Sequence, residues 1–222
     1  MKSRFSCRFY LPKPVPQKII EEIVDAARFA PSGNNMQPWE KVYCISGDVK
    51  DTICKAMLEA HIQNPTDYVS QYHYYPEGHT PDQYATRRQE FGKVHYTALN
   101  IDRSDYSARA ESSNRNYDFY GAPVAFVFTI HQDLTQGSWL DVGCFIQNMI
   151  LASRTRGLAS VCQESISKYH QVLRRYLPIA AHEIVAVGMA VGYPDLEKVA
   201  QYHGHQPKRA VSDIIEFHGF DQ

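Results

Sequence analysis

The sequence has almost no excess of charge of either sign. Its 222 residues include 23 lysines and arginines against 24 aspartates and glutamates, a net charge of −1. Such a balance gives no electrostatic reason to expect a nucleic-acid or membrane partner. No stretch approaches the roughly 18 consecutive apolar residues that cross a bilayer. The first residues, Met-Lys-Ser-Arg-Phe-Ser-Cys-Arg, lack the apolar core of a secretory signal, so we expect a cytoplasmic protein.

Cysteine is scarce and unpaired. The chain has five cysteines, an odd number, and no two of them form a Cys-x-x-Cys motif. This usage suits a reducing compartment and argues against a disulfide framework and a zinc site. The tightest histidine pair is His203-Gly204-His205, which has no third ligand at an obvious spacing, so we expect no metal.

The usual glycine-rich nucleotide and nucleophile motifs are also absent. The sequence contains no Gly-x-Gly-x-x-Gly, no Walker loop and no Gly-x-Ser-x-Gly. A Rossmann dinucleotide site, a P-loop and a hydrolase nucleophile elbow are therefore disfavoured. Any nucleotide-like cofactor must be bound by other means.

The hydrophobic pattern predicts a mixture of helices and strands. Apolar residues at three- and four-residue spacing predict helices over residues 19–27, 49–58 and 166–176, the last ended by Pro178. Residues 139–152 are apolar on nearly every face, which indicates a helix surrounded by protein. Apolar runs at 123–130 and 184–191 predict buried strands, and residues 214–217 predict a short terminal strand.

One loop carries more polar residues than a simple turn needs. Ala30-Pro31-Ser32-Gly33-Asn34-Asn35-Met36-Gln37-Pro38-Trp39 follows the first predicted helix, and Pro31 closes that helix. A minimal connection needs only a few residues. The surplus offers small side chains and neutral hydrogen-bonding groups, which suit a polyhydroxylated ligand. A capped loop with a buried tryptophan is the alternative interpretation.

Six segments in the right order resemble the nitroreductase family of FMN enzymes. They are Ser3–Tyr10, the Ala30–Trp39 loop, Asp141–Asn148 with Gly157-Leu158, Gln163-Glu164-Ser165, Gly188–Asp195 and Lys208-Arg209. Tyr74-Tyr75-Pro76, Arg87-Arg88 and Asn116–Pro123 are most similar to its nitrobenzene-reductase-type branch. The resemblance implies an α+β fold in one domain, 1–222, with a mainly antiparallel sheet flanked by helices. It also implies a homodimer whose C-terminal strand is exchanged between subunits. The sequence alone equally allows that strand to fold back on its own sheet.

The segment from about 63 to 120 lacks a clear period and contains nine of the fifteen tyrosines. Tyrosine combines a flat apolar body with a polar tip, which suits surfaces covered part of the time. The resemblance implies a helical lid and dimer surface here. A helical excursion packed on its own core is the alternative.

The resemblance also implies a set of FMN ligands. Arg4, Ser6 and Arg209, with Lys208 as a weaker candidate, match the phosphate-binding positions. Ser32, Gly33, Asn35 and Gln37 match the loop that lines the cofactor from the partner subunit. Arg8 matches the basic residue at the pyrimidine edge, and Gln163 and Glu164 match the edge near N5. The chain departs from the family at Phe5, where a second basic residue or histidine is common, and at Cys162, where proline is usual.

The implied activity is hydride transfer from NAD(P)H to FMN and then to a nitroaromatic or similar small acceptor, with ping-pong kinetics. No side chain need act as acid, base or nucleophile, because the flavin carries the chemistry. Flavin fragmentation, dehalogenation or dehydrogenation on the same fold is an alternative. A non-catalytic FMN-binding redox protein is another.

Overall fold

The computed structural model describes residues 1–202 and 206–220. It has a central four-stranded sheet with helices on both faces. The strands are β1 (Lys41–Ser46), β2 (Val124–His131), β3 (Ala159–Gln163) and β4 (Glu183–Gly192), in the order β1-β2-β4-β3, and each pairs antiparallel with its neighbours. The expected α+β fold with a mainly antiparallel sheet is confirmed.

Seven α-helices lie in the described residues. Their bounds are α1 (Gln17–Ala27), α2 (Gly47–Gln63), α3 (Asp82–Ala98), α4 (Tyr106–Asn114), α5 (Gln136–Thr155), α6 (His170–Tyr176) and α7 (Leu196–Gln201). Short 3-10 turns occupy Gly33–Asn35, Phe119–Gly121, Glu164–Tyr169 and Val211–Asp213. None of the described helices is long and apolar enough to cross a membrane.

The two larger apolar cores flank the sheet. On one face α1 and α5 pack against β2 through Ile23, Phe128 and Phe145. On the other, α2 and α6 cover the sheet, and Met57 and Tyr169 are fully buried there. β2, which lies in the middle of the sheet, is buried along nearly its whole length, as its continuous apolar run predicts.

Several predicted elements differ in extent. The stripe at 166–176 is split into a 3-10 turn and α6, and β3 was not predicted. α5 spans the predicted helix, but in the single chain one face is open, with Leu140 74% exposed. The predicted strand at 214–217 is wrong for the single chain, because no strand includes these residues within the described range 206–220. A strand requires a neighbouring backbone to pair with, and the single chain does not place one beside this segment.

Candidate functional site

The N-terminal segment extends the sheet beyond β3. Ser6 forms a parallel bridge with Ser160, and the Cys7 backbone N–H donates to the Ser160 carbonyl at 3.0 Å. Further along, the Leu11 N–H donates to the Tyr193 carbonyl at 2.9 Å. These contacts hold Arg4, Ser6 and Arg8 in one extended segment at the edge of the sheet.

This edge carries positive charge without carboxylate partners. No ion pair of the described residues includes Arg4, Arg8 or Arg154. Arg154, in the last turn of α5, places its guanidinium carbon 5.4 Å from the centroid of the Phe5 ring. Arginines grouped without acids favour an anion between them.

Arg8 is fixed by contacts on two sides. Its carbonyl accepts a hydrogen bond from Arg115 Nη2 at 2.9 Å, and its guanidinium carbon lies 5.7 Å from the centroid of the Tyr120 ring. Burial, with a smaller contribution from the charge of Arg8, lowers the pKa of His95 from 6.5 to about 4. His95 is therefore neutral near pH 7 and adds no second positive charge near Arg8.

The end of β3 presents Gln163, whose side chain is 2% exposed. Its Nε2 donates to the Asn116 carbonyl at 2.5 Å, while the Asn116 side-chain oxygen accepts from the Tyr120 hydroxyl at 2.8 Å. Burial raises the pKa of the neighbouring Glu164 carboxyl. These bonds connect the N5-edge candidates to the end of the 63–120 segment.

The turn after Gln163 packs tightly against β4. A Cβ at Gly188 would lie 2.6 Å from Ile166 Cγ1, so only glycine allows this approach. Gly188 therefore sets the depth of the Glu164–Tyr169 turn against the sheet.

The Ala30–Trp39 loop is hydrogen-bonded to α5, and its side-chain amides are exposed to solvent. The Gly33 N–H donates to Asp141 Oδ2 at 3.1 Å, and the Gln37 N–H donates to Ser32 Oγ at 3.0 Å. Asn35 and Gln37 are exposed and have left-handed φ values of 56° and 50°. Strained non-glycine backbone often marks functional loops.

The same loop ends on an aromatic contact, since Trp39 stacks on Phe145 of α5 at 4.7 Å between ring centroids. Among the described residues, no hydrogen bond joins Ser32–Gln37 to Arg4, Ser6 or Arg8. The single chain thus holds the loop and the arginines in separate contact networks.

Lys208 and Arg209 also lie apart from the N-terminal cluster. Both are exposed, and Arg209 Nη2 donates to the Asp213 carbonyl. No hydrogen bond among the described residues links either side chain to Arg4 or Ser6. A shared phosphate site with these residues stays a prediction.

Buried polar atoms without partners mark where a ligand fits. Within the described part of the chain there are six, and five lie on the N-terminal segment, on β3 and its following turn, or at the end of α5: Arg8 Nε, Arg154 Nε, Ser160 Oγ, Gln163 Oε1 and Ser165 Oγ. Unsatisfied buried groups are costly and uncommon in folded proteins. Their grouping beside unpaired arginines fits an anionic ligand with many hydrogen-bonding atoms, as FMN is.

Comparison with known proteins identifies the family. Residues 1–193 match the profile described as the nitroreductase family. The chain belongs to the nitroreductase family. It is 34% identical over 224 residues to a 4-nitrobenzoate reductase from Pseudomonas putida, covering 99% of this chain and 94% of that protein. A nitrobenzene nitroreductase from Ectopseudomonas oleovorans is 36% identical over 196 residues, covering 88% and 85% of the two chains.

A solved structure agrees with these sequence relatives. The FMN-dependent nitroreductase NfnB from Mycobacterium smegmatis, in complex with NADPH, superposes with a TM-score of 0.89 at 28% identity, covering 98% of this chain and 95% of that one. The predicted family, its nitrobenzene-reductase-type branch and its fold are thereby confirmed.

Two residues at the edge of the sheet were not predicted from the sequence. From the sequence alone, Arg154 resembles any basic residue near the C-terminus of a helix, and Ser160 resembles any serine in a strand. Only the parallel pairing of the N-terminal segment with β3 brings them beside Phe5 and Ser6.

Proposed function

We propose that this chain is an FMN-dependent oxidoreductase that takes hydride from NAD(P)H and reduces nitroaromatic or similar electron-poor acceptors. The observation that carries the proposal is the group of unpaired arginines and unpartnered buried polar atoms along the N-terminal segment and β3. The similarity to a 4-nitrobenzoate reductase and a nitrobenzene nitroreductase supports it.

Different residues at this edge of the sheet would bind different parts of the cofactor. Arg4 and Ser6 would bind the phosphate, because a guanidinium and a hydroxyl match its charge and its acceptor oxygens. Arg8 would face the pyrimidine edge, and Gln163 with Glu164 would lie near N5. When bound, FMN supplies the atom that accepts hydride from the nicotinamide and passes it to the acceptor. The protein's task is to orient both substrates and to supply a fixed positive charge.

We propose a homodimer in which the flavin is shared between chains. The exposed Asn35 and Gln37 and the strain of their backbone support a role on the partner's cofactor. In the C-terminal segment, Ile214 and Phe217 are 67% and 65% exposed, although both are large and apolar. Large apolar side chains with this exposure favour an interface that buries them. An exchange of this segment would cover them and would carry Lys208 and Arg209 to a phosphate.

The 63–120 segment would act as a lid on a single domain. Its helices α3 and α4 have no buried residues, while its end is anchored by the fully buried Phe119. Tyr74 and Tyr75 are 56% and 54% exposed. Exposed aromatic side chains on weakly packed helices are suited to closing over an aromatic acceptor. The five cysteines are free, which agrees with a cytoplasmic location where NAD(P)H is available.

The test is spectroscopic and kinetic. The purified protein should be yellow, release FMN rather than FAD on denaturation, and be bleached anaerobically by NADH or NADPH. Colour should return on addition of nitrobenzene or 4-nitrobenzoate, and double-reciprocal plots with varied acceptor should be parallel, as a ping-pong mechanism requires. A colourless protein that FMN cannot reconstitute would overturn the proposal. Bleaching without reoxidation by any acceptor would support the non-catalytic alternative.

A further inference from the structure

Arg154, in the last turn of α5, differs from the nearby Arg156 by having an unused donor. Its Nε is buried and has no hydrogen-bond partner, and no carboxylate pairs with it among the described residues. Arg156, two residues later, donates through Nε to Glu22 Oε2 at 3.1 Å and through Nη1 to the Ala152 carbonyl at 3.1 Å. The side chain of Arg156 therefore bonds a carbonyl at the end of α5 and a carboxylate, whereas the side chain of Arg154 makes neither kind of bond within the described part of the chain.

The guanidinium of Arg154 is held at the N-terminal segment by Phe5. The 5.4 Å separation from the Phe5 ring centroid is within the range of a cation–π contact. Phe5 lies between Arg4 and Ser6, at the position where the family commonly has a basic residue. The aromatic ring therefore places a cation from another element where position 5 itself carries none.

A second unused donor lies beside the same segment. Ser160 is 3% exposed, its Oγ has no partner, and it is bridged to Ser6. Burial raises the pKa of the Cys7 thiol, and the positive charges of Arg8 and Arg154 partly oppose that rise. Arg154 is thus close enough to this segment for its charge to be felt there.

We propose that Arg154 is a further phosphate-binding residue for FMN, supplied by α5 in compensation for the missing base at position 5. The inference rests on the proposed function. A dianionic phosphate is best bound by guanidinium groups through charge-assisted, bidentate bonds. Such a ligand satisfies the free Nε of Arg154, and Phe5 holds the guanidinium in the orientation that binding needs.

Comparison of FMN with riboflavin, which lacks only the phosphate, tests the proposal on flavin-free protein. Arg154→Gln should weaken FMN binding by about tenfold to a hundredfold and leave riboflavin binding unchanged, as measured by quenching of flavin fluorescence. Arg156→Gln is the matched control, because that arginine is already paired; it should change the FMN-to-riboflavin affinity ratio by less than about twofold. A Phe5→Lys change added to Arg154→Gln should recover part of the lost ratio.

The possible outcomes distinguish a failure of this inference from a failure of the proposed function. If wild-type protein binds neither flavin, the proposed function fails. If wild type binds FMN and Arg154→Gln weakens both flavins equally, Arg154 is only structural and the inference is overturned. If Arg154→Gln does not fold, Arg154→Met decides: it keeps an apolar stem beside Phe5 but has no charge, so an unchanged FMN-to-riboflavin affinity ratio rejects the inference and a reduced ratio supports it.

Discussion

Arg115 donates a hydrogen bond to the carbonyl of Arg8 at 2.9 Å, and the guanidinium carbons of these two arginines lie 5.5 and 5.7 Å from the centroid of one ring, that of Tyr120. Two like charges beside one aromatic ring repel unless an anion or a developing negative charge is nearby. The arrangement is thus suited to a ring that becomes negatively charged when reduced, and it makes Arg8 the first residue to vary.

Arg8→Gln should lower the two-electron potential of the bound flavin. A fixed positive charge favours the reduced, anionic ring without reorganisation. Loss of about 2 kcal/mol would appear as roughly 40 mV, since about 30 mV corresponds to about 1.4 kcal/mol for a two-electron couple. Reduction by NAD(P)H should slow, while FMN stays bound through Arg4 and Ser6. Anaerobic redox titration makes the measurement.

The control for this change is Arg28→Gln, which removes an exposed arginine that pairs with Asp25 at 2.7 Å. It should not alter the potential. If Arg8→Gln binds FMN with an unchanged potential, Arg8 does not tune the ring and its charge has only a structural role.

Mixed dimers should reveal whether one flavin is served by two chains. Arg4→Ala impairs the phosphate site, and the double change Asn35→Ala with Gln37→Ala impairs the loop. In a heterodimer of these two variants, one site collects both defects and the other collects none. Differently tagged chains should therefore co-purify with about one tightly bound FMN per dimer, whereas each homodimer loses most of its flavin. Equal loss in the heterodimer would show that loop and arginines of one chain serve the same site.

Asp141→Ala should weaken FMN binding although this carboxylate need not touch the cofactor. Its Oδ2 accepts the Gly33 N–H at 3.1 Å and fixes the strained loop to α5. Loss of such a bond costs about 1 kcal/mol, or roughly fivefold in affinity if the loop must be ordered to bind. Asp133→Ala, in the connection before α5, is the control. Flavin titration should show weakening for Asp141→Ala alone; identical affinities would exclude loop positioning by Asp141.

The sequence predicts the parts of this molecule whose structure depends on local pattern. α1, β2, β4 and the Ala30–Trp39 loop follow from apolar spacing, continuous apolar runs and proline placement. β3 has only five residues, two of them polar, and its pairing depends on the distant β4 and the N-terminal segment. Non-local pairing of this kind leaves little trace in a short sequence window.

The residues of the candidate site show the same difference between local sequence patterns and non-local contacts. Arg4, Ser6 and Arg8 can be predicted from one short motif, whereas Arg154 reaches that motif from about 150 residues away through the fold. The predicted strand at 214–217 shows the opposite case, in which an apolar run is evident in the sequence but no strand forms there in the described part of the single chain.

Protonation of His95 should destabilise the protein as the pH falls below about 6.5. Burial is the main cause that lowers the pKa of His95 to about 4 in the folded chain, and Arg8 adds to it. The unfolded chain therefore binds a proton on this ring at a higher pH than the folded chain does. Between pH 6.5 and 4 the free energy of unfolding must fall, and above pH 6.5 this contribution is constant.

His95→Gln should reduce that slope. Glutamine offers a hydrogen-bonding group for the Tyr202 hydroxyl, which lies 2.8 Å from His95 Nδ1, but it cannot take up the proton. Burial also lowers the pKa of His61 and His170, so part of the slope should remain. Urea unfolding of flavin-free protein at several values between pH 7 and 4.5 measures the effect, with exposed His79→Gln as control. An unaltered slope in His95→Gln would show that burial and the charge of Arg8 do not lower the pKa of His95 enough to affect stability.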